Sequence, residues 1–381
     1  MDSAEREGLR PKGNVPNLRF PEFQGEWKEH KLEDITAEIG DGIHATPIYD
    51  DNGTFYFVNG NNISEYGIII TATTQKVTEE EALRNNASAL NSYSILLSIN
   101  GTVGNVALYK NESIMLGKSA CYINVSSNIN RNYIFYYLMM PKCQFYFTSE
   151  LTGTTIKNLS LKSVRKTKVL LPNANEQSKI ARLFDAINER IATQNKIIDK
   201  LQSLIKGIAQ NIVRNNKPNV RLSECLECKS STLQESDVCE QGTYPVYGAN
   251  GIVGYLDNYN TEGEAVYIIK DGSGVGTVSY VKGKCSATGT LNTLQAKEGY
   301  SLQYLYYLLK VFNFEPYKTG MAIPHIYFKD YGKAKFFCPS YTEQLQYTQL
   351  LSAIDNKLSI EQNILTELTL QKQCLLRQMF I

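Results

Sequence analysis

Thr152-Gly153-Thr154-Thr155-Ile156-Lys157 returns 167 positions later as Thr319-Gly320-Met321-Ala322-Ile323-Pro324, and this repetition organises the whole chain. Downstream the offset holds without a gap. Pro172 maps to Pro339, Glu176-Gln177 to Glu343-Gln344, Leu183 to Leu350, Ala186-Ile187 to Ala353-Ile354 and Ile191 to Leu358. Upstream it drifts: Tyr136-Tyr137-Leu138 matches Tyr306-Tyr307-Leu308 at 170, Gly101 matches Gly272 at 171, and Leu32 matches Leu222 at 190. The chain is a duplicated unit of about 170 residues, a variable globular part followed by a tail of fixed length.

The tails carry helical periodicity. In the first, Ile180, Phe184, Ile187, Ile191, Ile198, Leu201, Ile205, Ile208 and Ile212 follow each other in steps of three and four with one skipped place, the signature of a coiled-coil seam. Leu351, Ile354, Leu358, Leu365, Leu368, Leu375 and Met379 repeat the template. Both tails begin just after a proline, with Glu176 or Glu343 near the first turn, where negative charge suits the helix dipole. The skipped seam places are Gln194 and Glu361, near the two midpoints. If the seams face each other the helices run antiparallel, midpoints meet, and Gln194 hydrogen-bonds Glu361 to fix register; both residues facing solvent is the alternative.

The globular parts read as strand-rich. Thr54 to Val58, Tyr93 to Ile99, Asn105 to Tyr109, Ala265 to Ile269 and Thr277 to Val281 are short, β-branched or aromatic, and bounded by turn residues. One helix is expected per half, at Tyr133 to Met140 and at Leu302 to Lys310, and 215–219 is a polar, proline-broken linker. The expected fold is α+β: two tandem strand-rich domains, each followed by a long helix, the helices packed as an antiparallel coiled coil with pseudo-two-fold symmetry. The divisions are a leader at 1–13, disordered and outside the repeat, a first domain at 14–172, a helix at 173–216, a second domain at 217–339 and a helix at 340–381.

Composition narrows the class. A chain of 381 residues with 43% hydrophobic and 20% charged residues supports at least two cores, and its apolar runs are too short to cross a bilayer. The polar opening has no apolar signal core, so a cytoplasmic chain with eight scattered, reduced cysteines is expected. A net charge of +1 means that any phosphate affinity comes from uneven charge distribution or from a basic partner.

Asn14-Val15-Pro16-Asn17-Leu18-Arg19-Phe20-Pro21, then Gly25-Glu26-Trp27 and Lys31-Leu32-Glu33-Asp34-Ile35, together with the twice-used junction of proline, Glu-Gln and long helix, resemble the specificity subunits of Type I restriction-modification enzymes along nearly the whole chain. The resemblance lies in the order and duplication of these motifs. It implies two target recognition domains that each read half of a split double-stranded DNA site, and helices that act as spacer and methyltransferase dock. It also implies two modification subunits carrying S-adenosylmethionine that methylate adenine, and restriction subunits using ATP and Mg. No cofactor on this chain and no membrane association are expected. A stiff helical spacer would set the gap between half-sites that lie about 34 Å, one helical turn, apart or a simple multiple of it.

For base reading the candidates are Asp41, His44 and Thr46 in one loop and Asn59, Asn61 and Asn62 in the next, with Tyr247 and Asn250 in a similar place in the second half. Asn pairs bidentately with adenine, though it is equally a turn former. Around the repeated glycine, Thr152, Thr154, Thr155 and Lys157 correspond to Lys318, Thr319, Met321 and His325. Lys162, Arg165, Lys166 and Lys168 follow with no acidic residue from 157 to 168, a strip suited to phosphates or, more plainly, a solvated strand edge.

Other motifs are decoys. Gly272-Ser273-Gly274-Val275-Gly276 has no long helix after it, and its partner Asn100-Gly101-Thr102-Val103-Gly104 lacks the middle glycine, so both read as strand-connecting turns. Gly117-Lys118-Ser119 lacks the glycine five residues earlier that a nucleotide loop needs. There is no Pro-Pro of an amino-methyltransferase signature. Cys225, Cys228 and Cys239 lack a well-spaced fourth zinc ligand, and His30, His44 and His325 have no evident nucleophile partner. Neither a metal nor a catalytic centre is expected. The rival functions are a duplicated protein-interaction scaffold without DNA specificity and a standalone DNA-modifying enzyme.

Overall fold

The computed structural model describes residues 13–381 except 86, 154–156 and 321; the expected leader therefore lies almost wholly outside the described residues. The chain forms two compact units, Met1–Thr193 with Leu365–Ile381 and Gln194–Ile364. Each long helix, Ala174–Asn215 and Tyr341–Gln378, contributes to both units.

The two units repeat one strand plan. In the first, Thr36–Asp41, Ala120–Val125, Ser94–Ser98 and Val106–Leu108 lie side by side in that order as an antiparallel sheet. In the second, Leu226–Ser230, Leu291–Ala296, Glu264–Ile269 and Val278–Lys282 do the same. A three-stranded sheet accompanies each, built on one antiparallel and one parallel pair: Phe55–Val58 between Lys76–Val77 and Ile114–Leu116, and Tyr244–Gly248 between Gly251–Leu256 and Ser286–Ala287. A short ribbon closes each domain where it meets its helix, Lys28–Lys31 on Lys168–Leu171 and Val220–Arg221 on Lys335–Phe336. The five strands expected from sequence are all strands here.

The sequence alignment is corrected at one point. The helices Arg131–Met139 and Leu302–Leu309 are capped by Asn130 and Ser301, whose side-chain oxygens accept from Tyr133 and Tyr304 backbone N–H. The Tyr133 hydroxyl donates to the Leu170 carbonyl and the Tyr304 hydroxyl to the Phe337 carbonyl. Equivalent residues are thus 171 apart, as at Gly101 and Gly272, and the Tyr-Tyr-Leu match at 170 is one residue out of register. Consecutive tyrosines in both helices allowed the slip.

The expectation of one helix per globular part also fails. The first part adds Glu79–Arg84, Pro141–Ser149 and Leu161–Arg165, and the second adds Leu222–Cys225 and Phe328–Tyr331. Pro141 holds the preceding Met140 in an extended conformation and starts a new helix at its own first position, where a missing N–H costs nothing.

The twice-used Glu-Gln junction has a physical reason. Buried Gln177 accepts from Asn130 N–H at 3.1 Å and donates to the Pro172 carbonyl at 2.9 Å. Gln344 accepts from Ser301 N–H and donates to the Pro339 carbonyl, each at 2.9 Å. One side chain therefore ties the start of each long helix to the cap of a domain helix. The preceding glutamates differ. Glu176 is fully buried and takes two 2.7 Å hydrogen bonds from Arg19, whereas exposed Glu343 forms a capping box with Ser340.

Along the helices the seam residues Ile180, Phe184, Ile191, Ile198, Ile205 and Ile212 are buried, as are Leu351, Leu358, Leu368 and Met379. Within the first unit the Phe184 ring packs 5.7 Å from Phe380, which also meets Tyr133 at 5.3 Å and Tyr137 at 5.8 Å. Such pairs contribute about 0.5–1.5 kcal/mol each beyond area burial. Within the second unit the Gln194 side-chain amide donates to the Glu361 carbonyl at 3.0 Å and to its carboxylate. Lys357 and then Gln194 hold the Glu361 carboxyl below its ordinary range by bonding its charged form.

Candidate nucleic-acid interface

Five loops converge at one end of the first unit's sheets, and the segment 117–119 is their hub. Gly117 N–H donates to the Val58 carbonyl at 2.9 Å, Ile43 N–H to the Leu116 carbonyl at 2.9 Å, and Ile99 N–H to the Ser119 carbonyl at 3.0 Å. The Ser119 hydroxyl accepts from Gly60 N–H and donates to Asn59 Oδ1, both at 2.9 Å. Thr102 Oγ1 donates to the Gly60 carbonyl at 3.2 Å, and Leu159 N–H to the Ile99 carbonyl at 2.8 Å. Loops 41–46, 59–62, 100–104, 117–119 and 152–158 are thereby assembled together.

The second unit repeats the hub. Thr288 N–H donates to the Tyr247 carbonyl at 2.9 Å, Lys270 N–H to the Thr290 carbonyl at 3.0 Å, and Ile326 N–H to the Lys270 carbonyl at 3.0 Å. The residues that flank the glycine repeat pair in the same way in both units. Thr152 and Asn158 exchange backbone hydrogen bonds at 2.9 and 3.0 Å; Thr319 and His325 do so at 2.8 and 2.9 Å. Gly153 (φ 93°) and Gly320 (φ 90°) sit in the left-handed region directly after the threonine, which is why glycine recurs there. The glycine-rich segments 100–104 and 272–276 lie in the strand-connecting turns 99–105 and 270–277, the second longer by one residue.

The expected site residues fall into three groups. His44, Thr46, Asn61, Lys157, Lys162, Lys166, Asn250 and Thr319 are exposed, and all but Lys162 and Lys166 lie in these loops or the Ala249-Asn250 hairpin turn. Lys162 and Lys166 lie one turn apart on the Leu161–Arg165 helix and its cap. His44 Nε2 lies 2.9 Å from Asp41 Oδ2, so a carboxylate orients that imidazole, while His325 Nδ1 lies 3.6 Å from Asp271 Oδ1, beyond hydrogen-bond reach.

A second group is engaged internally. Asn59 and Asn62 use their side-chain oxygens in the turn, and Asn62 Nδ2 donates to the Ile69 carbonyl at 3.0 Å. Arg165 donates to the Ile39 carbonyl at 2.7 Å, Lys168 pairs with Glu29 at 2.9 Å, and Lys318 pairs with Glu315 at 2.6 Å. The basic strip is broken at Arg165 and Lys168 because carbonyl and carboxylate partners from other strands reach them. Tyr247 is half-buried against Tyr267 at 5.7 Å. Thr152 and Thr319 are both exposed, and each donates its hydroxyl to the carbonyl of its backbone partner, Asn158 at 3.2 Å and His325 at 3.3 Å. Thr154, Thr155 and Met321 lie outside the described residues.

Asn250 follows Tyr247 by three residues as Asn61 follows Val58, so the place is similar, but the turn differs. Gly248 pairs directly with Gly251, leaving a two-residue hairpin loop, whereas the first unit forms a 3-10 turn at Gly60–Asn62. Lys118 is a residue that sequence reasoning passed over. Dismissed with a false nucleotide motif, it is exposed at the hub of the five loops. The signal that could have found it is its offset of 171 from Gly289, within the second hub.

No group of three or more His, Cys, Asp or Glu among the described residues could hold a metal. Cys225 is buried and its thiol donates to the Arg221 carbonyl at 3.5 Å, whereas Cys239 is exposed. No helix among the described residues is long and apolar enough to cross a membrane.

A duplicated α+β domain, with a polar loop cluster at the end of each copy and a long helix behind it, is a tandem recognition module. The family described as Type I restriction modification DNA specificity domain matches residues 24–203 and again 216–370. The chain belongs to this family, that of the DNA-specificity subunits of type I restriction-modification systems, and carries two copies of its domain. It is 24% identical over 311 residues to a putative type I specificity subunit of Mycoplasma genitalium, covering 75% of this chain and 80% of that one. It is 22% identical over 330 residues to the EcoprrI restriction enzyme specificity subunit of Escherichia coli, covering 80% and 81%. The crystal structure of the S subunit of the M. genitalium Type-I restriction-modification system shares the fold, with a TM-score of 0.65 at 19% identity over 96% of this chain and 99% of that one.

Proposed function

We propose that residues 14–172 and 217–339 each read one half of a split target in double-stranded DNA, while 173–216 and 340–381 serve as spacer and as dock for two modification subunits. The repeated loop hub carries this reading: two copies of one loop cluster, each with its own side chains, suit two half-sites of different sequence. Lys118, Lys157, Lys162 and Lys166 are assigned to phosphates, which position the domain. His44, Thr46, Asn61, Asn250, Thr319 and His325 are assigned to base edges.

In this reading the long helices form an antiparallel coiled coil. The support is that Phe184 meets Phe380 in one unit and Gln194 meets Glu361 in the other, so advancing along the first helix retreats along the second. A polar pair in an apolar seam fixes register at a cost in stability. Adenine methylation with S-adenosylmethionine belongs to the modification subunits, and ATP- and Mg-dependent translocation and cleavage to restriction subunits, all in the cytoplasm; this chain supplies no catalytic group. With a net charge of +1, its phosphate affinity is completed by its partners.

Gel-shift titration tests this. The complex with modification subunits is expected to retain a target duplex against excess competitor DNA, and the chain alone to bind weakly and lose binding steeply with salt. A complex that prefers no duplex would favour the scaffold reading instead.

A further inference from the structure

The seam of the second long helix contains a lysine. Lys372 lies 167 positions after Ile205 and is only 5% exposed, in the row otherwise filled by Leu368, Leu376 and Met379. A buried ammonium is costly unless it is paired. Here its Nζ lies 2.6 Å from Glu65 Oε2, a residue 307 positions away in sequence.

Glu65 sits at the tip of a small hairpin, Ile63–Ser64 paired with Gly67–Ile68. The second unit has no such hairpin after its equivalent strand, since Gly248 turns straight into Gly251–Leu256, and there the seam keeps Ile205. Lysine and hairpin thus occur together in one unit and are both missing from the other. The hairpin is also the continuation of the Asn59–Asn62 turn. Asn62 and Ile69 close its base through Ile69 N–H to the Asn62 carbonyl at 2.7 Å and Asn62 Nδ2 to the Ile69 carbonyl at 3.0 Å. Asn105 Nδ2 fixes the Ile63 carbonyl at 3.0 Å. Asn61 is four residues from the Glu65 anchor, along a path braced at each step.

The structure assigns Glu65 and Lys372 as positioning residues for the first recognition domain: their ion pair anchors the Asn59–Asn62 reading loop to the second long helix, so specificity at the first half-site depends on a residue outside the domain that reads it. This rests on the reading that the loop faces DNA.

The test uses the chain assembled with its modification subunits. Methylation kcat/KM is measured on the cognate duplex and on duplexes with one base changed in either half. Lys372→Met, which keeps bulk and removes charge, is expected to lower discrimination about tenfold at the half read by residues 14–172 and to leave the other half within about twofold. Glu65→Gln, which keeps an acceptor oxygen, gives a smaller loss at the same half, and the exchange E65K with K372E restores it. A role in stability alone would move both halves together or neither, and either result overturns the proposal. Exchanging residues 14–172 in parallel separates the causes. If that exchange alters one half-site and K372M and E65Q alter none, the anchor is wrong; if it alters neither half-site, the reading and the anchor fall together.

Discussion

Replacing Arg19 by methionine is expected to lower the stability of the first unit by about 3–5 kcal/mol, the range for removing one partner of a buried ion pair. Glu176 is fully buried at the first turn of the long helix, and both its oxygens are held by Arg19 Nε and Nη2 at 2.7 Å. The same hydrogen bonds hold the Arg19 guanidinium pKa above its ordinary value. Without arginine the helix dipole still favours the carboxylate, by about 0.3–1 kcal/mol, too little to offset its desolvation. At about 2–4 °C per kcal/mol for a unit of this size, the first unfolding transition falls by roughly 6–20 °C. Arg19→Lys gives an intermediate value, since an ammonium does not match both oxygens as a planar fork does. Ser340→Ala, at the corresponding exposed cap, costs only about 1 kcal/mol. Calorimetry on the three variants checks the ranking, and an R19M protein melting with the parent would contradict it.

Gly320→Ala is expected to abolish discrimination at the second half-site while sparing the first. Gly320 has φ 90°, and a methyl there would run into the Ile323 carbonyl oxygen and approach His325 Nε2 to 2.8 Å. Left-handed strain of about 1–2 kcal/mol adds to that clash. The loop relieves both by opening the Thr319–His325 backbone pair, which moves Thr319 and His325 together. Losing two base contacts at about 1–3 kcal/mol each gives a fall in kcat/KM of about thirtyfold or more for the cognate duplex. Methylation assays on duplexes altered in one half at a time read this out. Equal loss of discrimination at both halves would show that the loop does not belong to one recognition domain.

Periodicity and duplication made the architecture legible. Fixed spacing marked both helices because seam residues are chosen by burial along one face, and short β-branched or aromatic runs bounded by turn residues marked the strands, of which Ser94–Ser98 and Glu264–Ile269 are buried almost throughout. What stayed hidden is long in sequence and specific in chemistry. Arg19 and Glu176 are 157 positions apart and Glu65 and Lys372 307 apart, and neither pair has a periodic signature. Lys372 occupies the seam place that Ile205 fills in the first helix. Of the site, the loops were legible but not the roles within them. Asn59 and Asn62 carry the same turn chemistry that Asn61 merely accompanies, and three-dimensional contacts alone separate turn formers from exposed side chains.

The most direct measurement replaces residues 14–172 with the corresponding domain of another specificity subunit and maps adenine methylation across the genome of a host that carries the hybrid with its modification subunits. A split motif in which one half changes and the other is retained is the predicted result. A continuous motif, or one whose two halves change together, would contradict a chain that reads its target as two separate parts.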